Sequence, residues 1–489
     1  MCTAARCAVV GISRAGRTTP SPASEKCGRP TTFSADGVAT MTRAARLQSL
    51  CPIRWRQPVT TRTSRLPANH EASRQGAHSG RAQIVARRPD GKPSVLIIVQ
   101  NLPLPLDRRV WLESLALRDA GYHVSVICPR GDGQRRHEVL LGVHLYTYRP
   151  PRASSGVASY VAEFLYCWLM TALLSLLVMR EQGFDVIQTC NPPDTYWALA
   201  LPYKLVFGTA FVFDHHDLCP EVYQSRFGVE AGGLHRLLLW LERRNLRTAD
   251  VVISTNDSYK AIAVRRGGRA PEDVYVVRSG PNPDVMRRGA PEPALRCGRE
   301  HLAVWLGVMG PQDGVDELLD IIAYFVRDLG REDCQFALLG FGDEEQALRL
   351  RCTLLQLDDF VTFTGKADAD MITTYLSTAS IGLSADPSNP LNDLSTMNKT
   401  MEYMSYGLAV VAFDLPETRV SAQQAAVYLQ PGDKAGYAAT IVELLADPVR
   451  RERLGAFGRT RIERELAWSL QAATYLQAFA RLTPLSAAR

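Results

Sequence analysis

Residues 94–128, SVLIIVQNLPLPLDRRVWLESLALRDAGYHVSVIC, contain the unit from which the rest of the chain is built. SVLIIVQ is a short continuous apolar run, the pattern of a strand covered on both faces in a parallel sheet. After the turn-rich NLPLPLD, the segment RRVWLESLALRDAG sets Val110, Leu112, Leu115 and Leu117 at helical spacing, with Asp107 placed to cap the helix and Gly121 to end it. HVSVIC then supplies a second strand.

The alternation continues outward. FDVIQT, DTYWALALPYKLVF, AFVFDH, ADVVIST, NDSYKAIAVRRGG and DVYVVRS carry it across residues 92–285, which predicts a doubly wound α/β domain. An aperiodic, proline-containing stretch reaching through residues 286–300 reads as a linker. From HLAVWLGVMG a second strand and helix series occupies residues 301–462, and a helix over 463–485 is placed to pack back across the interface. The expected fold is α/β, with two Rossmann-like parallel-sheet domains facing a crevice at the carboxyl ends of both sheets. Such a crevice binds a small ligand.

Composition narrows the function classes. The chain is 46% hydrophobic and 22% charged, ordinary for globular protein. Residues 1–91 hold 15 Lys and Arg against 4 Asp and Glu, a local +11 that leaves −5 of the net +6 for the remainder. A nucleic-acid partner is therefore not expected of the globular part, which lacks a basic excess. The first 91 residues, rich in Arg, Ser, Thr, Ala and Pro and without periodicity, read as a disordered basic tail, with a transit peptide or an upstream-extended start before Met41 as alternatives. The 11 cysteines form no CxxC pair and no zinc-spaced cluster, and reduced thiols in a cytoplasmic protein are expected. Residues 157–179, VASYVAEFLYCWLMTALLSLLVM, are long enough to span a bilayer and carry one charge, Glu163. A core helix, a helix lying in one leaflet at the inner face of the membrane, and a true span all remain open from sequence; Ser159, Thr171 and Ser175 interrupt the apolar run.

The chemistry concentrates in NPLNDLSTMNKTMEYMSYG, residues 389–407, where a loop feeds a helix between two strands. Ser395, Thr396 and Asn398 are placed to cap its first turn, and the N-terminal N–H groups and dipole favour a phosphate. Asn398, Lys399 and Glu402 share one helix face. The same residues also fit a capped surface helix with an ion pair. In FVFDHHDLCPEVY, His215, His216 and Asp217 end a strand at the crevice. Adjacent histidines on extended chain point to opposite faces, so no metal site is expected there. Arg108 and Arg109 follow the first strand, where they meet an acceptor phosphate or stay solvated, and NPPDTYW with Asn191 and Asp194 follows another strand on the acceptor side.

KTMEYMSYGLAVVAFD, VWLGVMGPQDGVDELL and LLGFGDEEQAL together resemble the retaining glycosyltransferases of family 4, which have the GT-B fold. The resemblance, over about residues 92–485, implies transfer of a sugar from a nucleoside diphosphate sugar to a carbohydrate or lipid-linked hydroxyl acceptor, with no cofactor beyond that co-substrate and no metal. It places Glu402 on the nucleotide ribose, and it puts Gly307, Gly310, Gly314 and Gly340 beside the donor diphosphate. Asn392, Asp393, Ser395, Thr396, Met397, Asn398 and Lys399 complete the donor side. His216, Lys399 and Glu402 become the catalytic candidates, and Arg108, Arg109, Asn191, Asp194 and Asp217 the acceptor side. Three positions depart from the family pattern: Leu394 stands where a glutamate contacts the donor sugar, and Val308 and Asp313 replace an arginine and a lysine at the diphosphate. A GT-B sugar-nucleotide 2-epimerase and a catalytically silent scaffold are the alternatives that these departures leave open.

Overall fold

The computed structural model describes residues 91–151, 157–228 and 232–483. The tail expected over residues 1–91 lies outside them, apart from its last residue. Among the described residues fourteen strands form two sheets. The first sheet contains β1 (Ser94–Ile98), β2 (His123–Pro129), β3 (His137–Leu140), β4 (Val143–Tyr148), β5 (Val186–Cys190), β6 (Ala210–His215), β7 (Val251–Ser254) and β8 (Val274–Val276). Their spatial order is β3-β4-β2-β1-β5-β6-β7-β8, with β3 paired antiparallel to β4 and the other pairings parallel. The second sheet contains β9 (His301–Val308), β10 (Cys334–Phe341), β11 (Val361–Gly365), β12 (Ile381–Ser384), β13 (Ala409–Phe413) and β14 (Ala426–Leu429), all parallel in the order β11-β10-β9-β12-β13-β14.

The continuous apolar runs of the sequence are the central strands, buried over their whole length in β1, β5, β12 and β13. Each sheet is sandwiched between two apolar cores, because strands covered on both faces must meet helices on both sides. The strand order reverses between β1 and β5 and again between β9 and β12. Those switch points open crevices at the carboxyl ends, where the loops after β1, β6, β9, β10 and β12 converge.

Helix Trp468–Leu482 contributes Trp468, Tyr475, Ala478 and Phe479 to the core of the first sheet, and the Tyr475 hydroxyl donates to Gln188 Oε1 at 2.6 Å. The crossing into it is close: a Cβ on Gly280 would lie 2.1 Å from the Leu466 carbonyl oxygen. Helix Arg108–Asp119 starts at the Asp107 cap, whose Oδ1 accepts from Val110 N at 3.2 Å. Its buried face differs from the expected leucine stripe. Val110, Trp111, Glu113, Ser114 and Leu117 are buried, whereas Leu112 and Leu115 are only partly so.

Helix Val157–Glu181 is long and apolar enough to cross a membrane by length and composition, yet it lies against β1, β2 and β4 inside the first domain. Two of the hydroxyls that interrupt its apolar run face inward: Thr171 pairs with Tyr196 Oη at 3.3 Å and Ser175 with Tyr203 Oη at 2.9 Å. Docking of one side of the helix on the sheet fits a core helix or one lying in a leaflet. Its outer face remains bare, with Leu165, Leu169, Leu173 and Leu176 each more than half exposed.

Candidate functional site

The two domains meet around a cavity of 430 Å³, within the range of small-molecule sites. The first domain lines it with Arg108, Arg109, His216 and Asp217, and the second with Gly307, Val308, Asp313, Gly340, Asn392, Ser395, Thr396, Met397, Asn398, Lys399 and Glu402. Most of the expected site residues, drawn from opposite ends of the sequence, are thus in one place.

On the first-domain wall the adjacent histidines diverge as extended chain requires. His215 is fully buried with Nε2 3.4 Å from Glu242, while His216 reaches the cavity. His216 Nε2 lies 2.7 Å from Asp214 Oδ2 and 2.9 Å from Arg109 Nε, so the ring is pinned by that edge. Behind it sits a buried network. Arg109 pairs with Asp214 at 3.0 Å, lies 3.0 Å from Glu113 and donates to the Val277 carbonyl at 2.7 Å. Gln188 Nε2 donates to both acids, at 2.9 and 3.1 Å. Burial opposes ionisation of Asp214, yet Arg109 and His216 outweigh it and hold the carboxyl well below its usual range. Burial and then the charge of Asp214 push the Glu113 carboxyl well above its usual range, against the pull of Arg109.

Glu113, Cys190, Asp214 and His216 bring potential metal ligands within 4.8 Å of one another. The Arg109 guanidinium already bonds to Asp214 and His216 and abuts Glu113, so the cation in this cluster is the arginine. Arg109, expected on the acceptor side, lines the cavity with its guanidinium already engaged by these neighbours. Asn191 and Asp194 are buried and do not line the cavity. Asn191 instead builds the wall: its Oδ1 accepts from His216 N at 2.7 Å, and its Nδ2 donates to Asp194 at 3.0 Å and to the Asp217 carbonyl at 2.7 Å. Burial pushes the Asp194 carboxyl up to about 6.

On the opposite wall, Gly340 has φ +151° and a Cβ there would stand 1.8 Å from the Gly307 carbonyl oxygen, so glycine lets the ends of the paired strands β9 and β10 approach closely. Gly310 and Gly314 do not line the cavity. They shape the turn that starts the next helix, and a Cβ on Gly314, at φ +66°, would meet the Ala385 carbonyl oxygen at 2.3 Å. Asp393 also stands off the cavity and accepts from Ser388 at 3.1 Å.

Helix Asn398–Ser405 is capped by Met397, without a side-chain hydrogen bond. The expected caps point across the domain boundary instead. Ser395 Oγ pairs with Tyr259 Oη at 2.9 Å, and Thr396 Oγ1 accepts from Asn256 at 3.1 Å and from Arg278 at 3.2 Å. Leu394 packs beside Leu391 against Leu218, Tyr259 and Ile262 of the first domain, so the position that departs from the family pattern is an apolar interdomain contact. Lys399 is 1% exposed, with Nζ 2.5 Å from buried Asp386 and over the Trp305 ring at 4.9 Å. Its charge is compensated. Glu402 faces the cavity and is met by Arg108 at 3.0 Å. Burial pushes Asp313 up to about 6 against the pull of Lys399.

Residues 107–280 match the family model for the glycosyl transferase 4-like domain, and residues 300–447 that for glycosyl transferases group 1. One falls on each sheet. The chain belongs to the GT-B glycosyltransferases. A curated relative, the GDP-mannose-dependent monoacylated alpha-(1-6)-phosphatidylinositol monomannoside mannosyltransferase of Corynebacterium glutamicum, is 28% identical over 165 residues, which cover 33% of this chain and 42% of that protein. The match therefore spans less than half of the relative's length. Sucrose-phosphate synthase from Thermosynechococcus elongatus shares the fold, with a TM-score of 0.67 and 18% identity over 80% of this chain and 99% of that one. Anabaena HepE, solved in complex with UDP, gives 0.60 and 14%, covering 80% and 100%.

Several residues that hold the cavity walls and the domain boundary in place escaped sequence reading. Asp214 had a signal, an acid inside the apolar run FVFDH. Asp386, just beyond β12, had only its nearness to a strand end. Arg278 and Glu417, 3.5 Å apart across the domain boundary, had none, because their pairing depends on how the domains meet.

Proposed function

We propose that the protein is a retaining, metal-independent glycosyltransferase that moves a sugar from a nucleoside diphosphate sugar to a hydroxyl acceptor in cell-surface polysaccharide or glycolipid synthesis. The observation that carries this reading is one cavity walled by His216 on the first domain and by Gly307, Gly340 and Glu402 on the second. A donor spanning the two walls has its nucleotide on Glu402 and its reacting carbon toward His216. The pinned imidazole is pre-oriented at the site of bond cleavage. Charge on the departing diphosphate is met by preorganised dipoles and a cation, which stabilise it more than any other device open to such a site. The relative named for GDP-mannose and a phosphatidylinositol mannoside, and the neighbour solved with UDP, support a nucleotide-sugar donor and a lipid-linked or carbohydrate acceptor. A thermal-shift screen of nucleoside diphosphate sugars tests the reading. At least one donor is expected to raise the melting temperature, with a stabilisation of about 2.7 kcal/mol at a hundredfold excess over Kd. A flat response across the panel speaks for the silent scaffold.

The same reading puts the enzyme in the cytoplasm, at the inner face of the membrane. Its support is the bare leucine row of helix Val157–Glu181, continued by exposed Leu205 and Val206 on the next helix and by Leu234, Leu237 and Trp240 on helix Gly233–Thr248. Exposed Arg236, Arg243, Arg244 and Arg247 on that last helix suit anionic headgroups. Burying one leucine contributes about 1.5–3 kcal/mol at most, so a Leu169→Glu/Leu173→Glu variant is expected to lose at least about tenfold in binding to phosphatidylglycerol vesicles. Equal co-flotation of variant and wild type rules this surface out.

A further inference from the structure

A diphosphate brings at least two negative charges into a crevice that also holds Asp313 and Glu402. Three cations line that crevice: Arg108, Arg109 and Lys399. Two of them are already neutralised. Arg109 is buried on Asp214, and Lys399 is buried on Asp386 at 2.5 Å. Arg108 differs from both. Its side chain is 44% exposed, and its carboxylate partner, Glu402 at 3.0 Å, is itself a crevice residue. An ion pair this open to solvent contributes little net stability, so an incoming ligand can exchange it readily. The guanidinium fork then matches two phosphate oxygens better than a lysine could.

Arg108 is also the first residue of helix Arg108–Asp119, in the loop that follows β1. Its guanidinium therefore enters from the first domain, opposite Val308 and Asp313. At those two positions the second domain offers the diphosphate an apolar side chain and a carboxyl.

We propose that Arg108 is the diphosphate-binding cation of this crevice, supplied by the first domain and held on Glu402 until the donor arrives. This rests on the donor-site reading of Glu402. On binding, sugar hydroxyls of the nucleotide take over the Glu402 carboxylate, and the released guanidinium pairs with the diphosphate. No bond is made or broken in this exchange. The ligand then bridges the domains through two of the residues that bridge them without it, and the acceptor-side assignment of Arg108 is replaced by a donor-side one.

The test is isothermal titration of GDP, UDP and ADP, with inorganic pyrophosphate as the base-free control, into the full-length wild type, Arg108→Ala, Arg108→Lys and Glu402→Gln. The nucleoside diphosphate that binds the wild type is expected to bind Arg108→Ala at least about tenfold more weakly, with Arg108→Lys in between. Glu402→Gln, which frees Arg108, is expected to keep or improve its affinity for pyrophosphate while losing affinity for the nucleoside diphosphate. Affinity of Arg108→Ala equal to or tighter than wild type overturns the assignment and leaves the donor reading standing, since Arg108 then only occupies Glu402. Failure of the wild type to bind any of these ligands overturns both. Melting temperatures of the variants within about 2 °C of wild type show that the half-exposed side chain was not holding the fold.

Discussion

Arg109→Met is expected to destabilise the first domain by about 3–5 kcal/mol, because it strands the buried Asp214 carboxylate. Asp214 is fully buried, and the guanidinium at 3.0 Å is what keeps it ionised against the cost of desolvation. Without the arginine the carboxyl must take up a proton or remain as an uncompensated charge; both cost free energy. The linkage has a definite sign. A carboxyl whose folded-state pKa is depressed contributes stability that is present above its unfolded pKa of about 3.9 and is lost as pH falls through the lower folded value. The Arg109→Met defect is therefore expected to be full at pH 7 and to shrink below about pH 4. In thermal denaturation the melting temperature should fall by roughly 5–15 °C. Adding Asp214→Asn should recover part of the loss, since a neutral pair no longer strands a charge. A single-variant cost under about 1 kcal/mol contradicts the account of this network.

His216→Ala is expected to behave in the opposite way, with the fold retained and donor turnover lowered about 10²-fold or more. The imidazole faces the cavity and only one edge of it, Nε2, is tied into the network through Asp214 and Arg109. Its removal leaves Asp214 paired with Arg109, so stability should change by only about 1 kcal/mol, the value of one hydrogen bond. Glu402→Gln is expected to lower kcat/KM comparably, mainly through the Michaelis constant, because its role is to hold the nucleotide rather than to meet the reacting carbon. Unchanged turnover in both variants means that the reaction centre lies elsewhere.

Much of the fold was legible because a buried parallel strand leaves a plain trace. VLIIV, FALLG and AVVAF are apolar without interruption, and each is followed closely by a turn. The helices were legible as elements but less so as faces. Helix Arg108–Asp119 buries Glu113 and Ser114 while Leu112 and Leu115, expected on its inner face, are only partly buried, since buried Arg109 needs Glu113 beside it. The site was legible to the extent that a single segment held it. KTMEYMSYG correctly put Glu402 in the crevice, and the strand alternation of FVFDHH separated His215 from His216. What was lost is long-range pairing. Lys399 looked like a free phosphate cation because nothing marks Asp386, thirteen positions upstream, as its buried partner. Ser395 and Thr396 looked like helix caps because Tyr259, Asn256 and Arg278, which engage them, belong to the other domain.

The central claim is that one cavity, built by both domains around His216 and Glu402, turns over a nucleoside diphosphate sugar. Release of nucleoside diphosphate from a panel of such sugars, measured for wild type beside His216→Ala and Glu402→Gln, tests it most directly. The prediction is turnover of at least one donor by the wild type, with the anomeric configuration retained in the product and the rate lost in both variants. Turnover that persists in both variants, release of a C2-epimerised sugar in place of transfer, or no turnover of any donor that binds would contradict it.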